Sequence, residues 1–519
     1  MRITAIGHAG FLIEARGLRI VCDPWFTPAY FGSWFPFPSN EHLDLRRITN
    51  PTHLYISHLH HDHFDPEFLA RHMSKDATVI LPDYPLDTLE QELRALGFTS
   101  FLKTRNTQPV TVDGVTLMVN ALVAPTDGPI GDSALLVDDG ETRVLNLNDA
   151  RPTDLDALLS LGPLDLLLLQ FSGAIWYPMV YDFPEKMKQA LGKQKRQNQL
   201  RRALQYVLQL APRFTVPCAG PPCFLDDDLF HLNDLQQDPA NIFPDQTVFL
   251  EYLAQHGASQ GFLMIPGSEG VLTPQGFQVA HPLPDEEVQA IFTHKEEYLT
   301  AYQARQRPVL ARIRASWPQP RADFLPALRA WFEPLMAQTD LTCAGINDNV
   351  LLELGDQGIV LDFRERTVRA WGGEAWGYRF RIDPRLVEHC VRHRLEDWVN
   401  ELFLSCRFQA SRRGKYNEYV YNFFKCLSQE RMQYAEGYYV EQGPVRETWE
   451  YGGYRIQKRC PHLKADLTRF AHIEGDVLTC RLHGWQFRLS TGECLTSDEC
   501  RLWTRPIAAG EEAPVGEAA

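Results

Sequence analysis

The chain has 519 residues, with 66 acidic against 51 basic side chains and a net charge of −15. Such a balance argues against nucleic acid or an anionic membrane surface as partner. Hydrophobic residues at 44% and charged residues at 23% describe an ordinary folded protein, too long for one core and with no apolar run approaching the ~18 residues of a membrane span.

The N-terminus runs straight into a strand pattern, so no signal peptide is expected. Eleven cysteines, an odd number scattered through a large chain, read as reduced thiols and metal ligands rather than a disulfide framework. The expectation is a cytoplasmic protein.

Residues 1–285 alternate between strand and helix patterns. Strands are predicted over 3–13, 18–22, 53–56, 77–81, 115–122, 133–137, 142–146 and 164–170, bounded by Gly, Pro and Asp turns. Helices are predicted over 154–161 and 183–210, the second long and basic on its outer face (Lys186, Lys188, Lys193, Lys195, Arg196, Arg201, Arg202). That face reads as a solvated surface, or as a dock for an acidic ferredoxin or a substrate phosphate. Residues 286–435 form a mixed middle segment, with helices over 285–316, 321–336 and 383–405 and a strand hairpin over 351–364. Residues 436–507 are short strands with Gly-rich turns, and 508–519 is a small, acidic, disordered tail.

Two clusters carry chemistry. The first is Ser57-His58-Leu59-His60-His61-Asp62-His63, directly after a predicted strand. Two histidines two residues apart can point the same way from an extended loop, and Asp62 and His63 can then reach a second metal. Imidazole and carboxylate suit iron or zinc, and no cysteine stands in the motif. A surface histidine-rich loop is the bland alternative.

The second is Cys460-Pro461-His462, seventeen residues, then Cys480-Arg481-Leu482-His483-Gly484-Trp485. It offers two thiolates and two imidazoles from two loops, the ligand set of a Rieske [2Fe–2S] centre. A structural Cys₂His₂ zinc site is the competitor, but it ordinarily uses C-x₂₋₄-C pairs, which are absent here.

The first cluster resembles the metallo-β-lactamase family motif. Gly7-His8-Ala9-Gly10-Phe11, Asp23-Pro24-Trp25-Phe26 and Asn148-Asp149 match that family's first hairpin, its metal-proximal loop and its bridging aspartate. The resemblance implies an αββα sandwich over roughly residues 1–280, with His58, His60, Asp62, His63 and Asp149 as metal ligands and Asp62, His63 and Asp149 in the catalytic centre. The family also has a metal-binding His before the bridging Asp. Here only His72 lies between Asp65 and Asp149, so Asp127 or Asp132 is the candidate replacement. His231 or His281 is the candidate for the last ligand.

The second cluster resembles the Rieske family, with Phe487 and Gly492 continuing the pattern. Electron-transport-chain members carry an extra cysteine in each loop, where this chain has Ala465 and Leu482. This points to the oxygenase or soluble ferredoxin branch, with a small all-β domain holding the cluster through Cys460, His462, Cys480 and His483.

The pairing of the two modules is similar to CMP-N-acetylneuraminic acid hydroxylases, through Gly32-Ser33-Trp34, Gln170-Phe171-Ser172-Gly173, Trp176-Tyr177-Pro178 and Val216-Pro217-Cys218-Ala219-Gly220. Those enzymes place the Rieske domain first, the reverse of this chain. The middle segment resembles sterol carrier-like domains, with plain core packing as the alternative.

The expected fold is therefore α/β (an αββα metallo-β-lactamase sandwich over 1–285), a mixed α+β middle domain over 286–435, a small all-β Rieske domain over 436–507, and the tail. The expected function is that of a Rieske-coupled non-haem iron oxygenase, an oxidoreductase of the monooxygenase kind. It would hydroxylate or N-oxidise a small polar substrate with O₂ and electrons from a ferredoxin or similar reductase. A [2Fe–2S] cluster and one or two iron ions are implied, no nucleic acid or membrane is expected as partner, and a homo-oligomer is left open. The alternative is a zinc-dependent metallo-hydrolase with a redox-sensing Rieske domain. A di-iron O₂ or NO reductase of the flavodiiron kind fits less well, because those enzymes carry Glu where His60 stands.

Overall fold

A computed structural model describes residues 1–123, 131–173, 175–441, 447–498 and 500–507. Two stacked sheets open the chain. One has eight strands, with Arg2–Gly7 near its centre, and the other has seven, with Arg143–Asn148 and Leu166–Gln170 at its middle. Their facing sides interdigitate through residues such as Ile3, Ile13, Ile20, Leu135, Val144 and Leu168. Leu166–Gln170 is buried along its whole length and pairs in parallel with Arg143–Asn148 and with Phe214–Cys218. A continuous apolar run is what a parallel strand covered on both faces requires. Helices Pro66–Arg71 and Thr88–Ala95 cover the eight-stranded sheet, and Glu185–Leu210 covers the other.

The strand predicted over 3–13 is instead a tight hairpin, Arg2–Gly7 and Gly10–Ala15. Gly7 at φ +124° and His8 at φ +53° turn the chain back. This left-handed backbone is costly for a residue with a Cβ, and it puts the His8 imidazole at the end of the sheet where the ligand loops gather.

The middle segment builds a five-stranded sheet in the order Thr367–Ala370, Gln357–Asp362, Asn349–Leu354, Tyr378–Ile382, Phe408–Arg412. Trp331, Phe332, Trp398 and Phe424 pack in its core. The helix predicted over 285–316 breaks at His294 into Asp285–Thr293 and Lys295–Ser316. The one predicted over 383–405 ends at His393, where Arg394 takes a left-handed cap at φ +52°, and a short π-helical turn, Val399–Phe403, follows. The core of this segment is continuous with Trp25, Tyr30, Trp34 and Trp176 of the first domain.

Two three-stranded antiparallel sheets form the C-terminal domain. The helix Glu185–Leu210 is its seat. Leu200, Ala203, Leu204 and Val207 share a core with Leu467, Phe470, Leu478 and Trp485, and Arg481 Nη1 donates to Gln205 Oε1 at 3.0 Å.

No helix among the described residues is long and apolar enough to cross a membrane.

Candidate metal centre and cluster site

The strand His53–Tyr55 delivers the chain into the loop Ser57 to His63, and Asp23 fastens that loop. Asp23 Oδ1 accepts from Ser57 N at 2.8 Å and Oδ2 from Ser57 Oγ at 2.6 Å, while Oδ2 also lies 2.9 Å from His63 Nδ1. A carboxylate on one ring nitrogen fixes the tautomer and frees the other for a metal. His63 Nε2 is buried without a hydrogen-bond partner and faces Asp149 Oδ1 at 3.5 Å and Asp62 Oδ2 at 3.7 Å. Asp65 ties down the far side. It caps the helix Pro66–Arg71 through Phe68 N and accepts from Phe26 N, Thr27 N and Thr27 Oγ1.

Three overlapping sets of ligand atoms result, each within 4.8 Å of one another: His8, Asp62 and His63; His58, His63 and Asp149; His58, His60 and Asp132. Shared through His58 and His63, they can hold two cations side by side. His8 Nδ1 and Asp149 Oδ1 are, like His63 Nε2, buried with no partner. Orphaned polar atoms inside a protein are rare, and a cation between His63 Nε2 and Asp149 Oδ1, 3.5 Å apart, satisfies those two. The donors are nitrogen and oxygen only, which fits iron or zinc.

Burial, then His63, pushes the His58 imidazole well below its ordinary range, and burial, then His58, does the same to His60. Neutral rings are what a metal needs. Burial opposes charge on His63 too, but Asp62 and Asp149 outweigh it and raise that ring. A positive charge is therefore favoured where these carboxylates converge, from a proton or from a metal. Tyr30 Oη donates to Asp62 Oδ1 at 2.5 Å, and burial, then Asp62, keeps its phenol protonated.

Of the two aspartates offered as replacements for the missing His, Asp132 stands with His58 and His60, its Oδ1 3.5 Å from His58 Nε2. Asp127 lies outside the described residues. His231 is not drawn into the centre. It sits exposed on the 3₁₀ turn Phe230–Leu232, the neighbouring Asp226 being turned instead to Arg314 and Arg407. His281 hydrogen-bonds Ser268 at 2.9 Å, also away from the centre. His8 was missed as a chemical residue because its partner, Asp62, is 54 positions distant, although its Nε2 lies 2.9 Å from Asp62 Oδ2.

The second site forms where two loops of the C-terminal domain meet. Cys460 and Cys480 are fully buried with their thiols hydrogen-bonded to each other. Burial pushes Cys460 up, and the bond from Cys460 pushes Cys480 down to about 7. His462 and His483 stand with ring centroids 4.9 Å apart, and His462 stacks on Trp485 at 4.0 Å. Both Nδ1 atoms are buried without a partner, while His462 Nε2 is held 2.8 Å from Glu418 Oε2. A bonded pair of thiols and a neighbouring pair of imidazoles, each with a free Nδ1, are the donor set of a [2Fe–2S] cluster of the Rieske kind.

A cavity of about 530 Å³ is lined by His462 and His483 of the cluster site and also by Asp132. The long helix forms part of its wall, and here the sequence reading needs correction. Arg196 and Arg202 are buried, not on an outer face, Arg196 paired with Asp234 at 2.7 Å, and Lys195 faces the cavity. Lys186, Lys193 and Arg201 do face solvent.

Three family models match the chain: "Beta-lactamase superfamily domain" over residues 2–219, "Rv3818-like, SCP2-like domain" over 324–441, and "Rieske [2Fe-2S] domain" over 450–502. The cytidine monophosphate-N-acetylneuraminic acid hydroxylase of Danio rerio is 30% identical over 232 residues, 42% of this chain and 38% of that protein. Among solved structures, CmlA, a diiron β-hydroxylase from Streptomyces venezuelae, is similar at 15% identity and a TM-score of 0.34, covering 54% of each chain. A Mycobacterium tuberculosis protein named for its Rieske 2Fe-2S centre, Rv3818, is 51% identical over 506 residues, 96% of this chain and 98% of its own. Its Mycolicibacterium smegmatis counterpart is 51% identical over 510 residues, again 96% and 98%. The chain therefore belongs to the Rv3818 family of Rieske 2Fe-2S iron–sulfur proteins, with a metallo-β-lactamase-type domain at its start.

Proposed function

We propose that this protein is a Rieske-coupled non-haem iron oxygenase, hydroxylating or N-oxidising a small polar substrate with O₂ and electrons from a ferredoxin or similar reductase. The observation that carries this reading is the single cavity lined by His462 and His483 of the cluster site and by Asp132 of the metal centre. A substrate there would touch both centres at once. Zinc hydrolysis gives no reason for that arrangement, since zinc has no redox chemistry. The likeness to a protein named a hydroxylase over 42% of the chain supports the same reading.

In this reading His58, His60, Asp62, His63, Asp149 and Asp132 hold one or two iron ions, and Cys460, His462, Cys480 and His483 hold the cluster. Iron in the first site supplies one-electron chemistry and O₂ activation when bound. Asp23 orients His63, Tyr30 donates its phenol O–H to the Asp62 carboxylate, and Glu418 fixes the tautomer of His462.

Metal analysis of protein purified without oxygen or chelators is the test. One or two irons beyond the cluster pair, with O₂ consumed on mixing with the reduced protein, support the proposal. Zinc alone beside the histidine loop, with no O₂ uptake, sinks it in favour of the zinc hydrolase.

A further inference from the structure

We infer that the cavity between the two centres binds a small organic anion, a carboxylate or phosphate ester, through Arg151, Lys195 and Arg202. The inference rests on the oxygenase reading and deepens it by naming the class of molecule the cavity takes. All three cations line the cavity. Arg202 is only 8% exposed, and its Nη2 is buried with no hydrogen-bond partner. Arg151 donates from Nη2 to Gln170 Oε1 at 2.8 Å, but its Nε is likewise buried and unpaired. Among the described residues none of the three has a carboxylate within 4.0 Å, although the chain pairs most of its other buried cations, such as Arg196 with Asp234 and Lys295 with Asp245.

Three cations gathered without a counter-ion are costly. An unpaired buried charge is ordinarily neutralised or paired. Burial first, then Arg202 and Arg151, pushes the Lys195 ammonium down to about 7, so the cluster already repels itself. The same three charges act on the His483 ring. The groups that favour charge on Arg202 are the Tyr206 phenol and then Asp149, the one carboxylate among them, which is also in the metal centre. An incoming anion supplies the missing charge, and the Arg guanidinium fork suits a carboxylate or phosphate. Trp176, Tyr177 and Tyr421 line the same cavity, Trp176 and Tyr421 stacked on each other, and offer a surface for a flat apolar body. A volume of about 530 Å³ admits a molecule with both parts.

The helix explains why the cations meet. Lys195, Asn198 and Arg202 stand at i, i+3 and i+7 and all line the cavity, so they share one face of Glu185–Leu210. Docking of an acidic protein on the same residues is disfavoured by the burial of Arg202; exposed Lys186, Lys193 and Arg201 lie elsewhere on the helix.

The test uses resting, cluster-loaded protein and needs no turnover, so it can fail while the oxygenase reading stands, and the reverse. Benzoate, phenyl phosphate and neutral benzamide are titrated by calorimetry, with the EPR g-values of the reduced cluster followed in parallel. At least one of the two anions should bind 10-fold or more tighter than benzamide and shift the g-values; which of them does so tells a carboxylate from a phosphate ligand. Lys195→Met and Arg202→Gln should each weaken that anion 10-fold or more while the protein still loads its cluster. Since loss of buried Arg202 can unsettle the fold, the partly exposed Lys195 variant decides alone if Arg202→Gln is insoluble. Equal binding of benzamide, no binding of either anion at 10 mM, or unaltered anion affinity in Lys195→Met overturns the inference.

Discussion

His462 Nε2 lies 2.8 Å from Glu418 Oε2, so the first cluster loop is bonded to a helix of the middle domain, Glu418–Lys425. Both side chains are mostly buried, at 7% and 11% exposure, where a charge-assisted bond is stronger than at a surface. The carboxylate makes the imidazole more electron-rich and favours the oxidised cluster. Glu418→Gln keeps the shape and removes the charge. It should raise the reduction potential by on the order of 60 mV, the one-electron equivalent of about 1.4 kcal/mol. Redox titration monitored by EPR reads this directly. A potential unchanged within about 10 mV, on the same scale, would mean that Glu418 is only a structural contact.

The two metal sites should come apart by mutation. The double variant His58→Ala with His60→Ala removes the ligands of the histidine loop without touching Cys460 or Cys480. Metal beyond the cluster and O₂ uptake should fall to background, with the visible and EPR spectra of the cluster intact. Asp132→Asn should lower affinity for that metal 10-fold or more, because the ligand 3.5 Å from His58 Nε2 loses its charge. Asp132→His, which restores the imidazole that metallo-β-lactamase relatives use, should recover most of it. Loss of the cluster spectrum in the double variant would refute the division into two independent sites.

What could be seen in the sequence was what is local. His58 to His63 and Cys460 to His483 announce themselves because ligands on one loop keep a fixed spacing whatever the rest of the chain does. His8 and Glu418 did not, because their meaning comes from Asp62 and His462, 54 and 44 positions away in the chain. The long helix was read correctly as a helix, and Lys186, Lys193 and Arg201 do lie on its outer face, but Lys195, Arg196 and Arg202 do not. Helical period alone cannot say that a second domain seats on the face bearing Arg202. The helix predicted over 383–405 failed at a backbone feature, the left-handed Arg394, which an arginine does not signal.

The helix Pro384–His393 of the middle domain should carry a pH signature. Glu388, on the helix Pro384–His393, accepts from Arg321 Nε at 2.7 Å and Arg392 Nε at 2.6 Å. The Arg321 bond first, with Arg392 adding, pulls its carboxyl from 4.5 down to about 2. A depressed folded value means that this stability is fully present above the unfolded value and lost as pH falls toward the folded one. Between pH 5 and pH 3 the native state should lose on the order of 1–2 kcal/mol from this group alone. Urea unfolding of wild type and Glu388→Gln at both pH values isolates it. The gap between the two proteins should narrow at pH 3; a constant gap counts against the assignment.

Gly192 reverses the usual rule for glycine in a helix. In the interior of Glu185–Leu210 a change to alanine would normally stabilise by about 1 kcal/mol. Here an added Cβ would stand 2.0 Å from the backbone oxygen of Ala240. Backbone cannot swing aside as a flexible side chain can, so the helix must lift from the segment that precedes Gln246–Gln255. Arg196, one turn along, would lose its bonds to Asp234 Oδ2 and to the carbonyls of Asp238 and Asn241, leaving a buried guanidinium under-paired at a cost of about 3 kcal/mol or more. Gly192→Ala should therefore destabilise by roughly 2–4 kcal/mol net. Because Lys195 and Arg202 ride on the same helix, it should also weaken anion binding in the cavity. A thermal melt at or above wild type would show that the helix is free to shift, and that its close approach to Ala240 does not fix the cations over the metal centre.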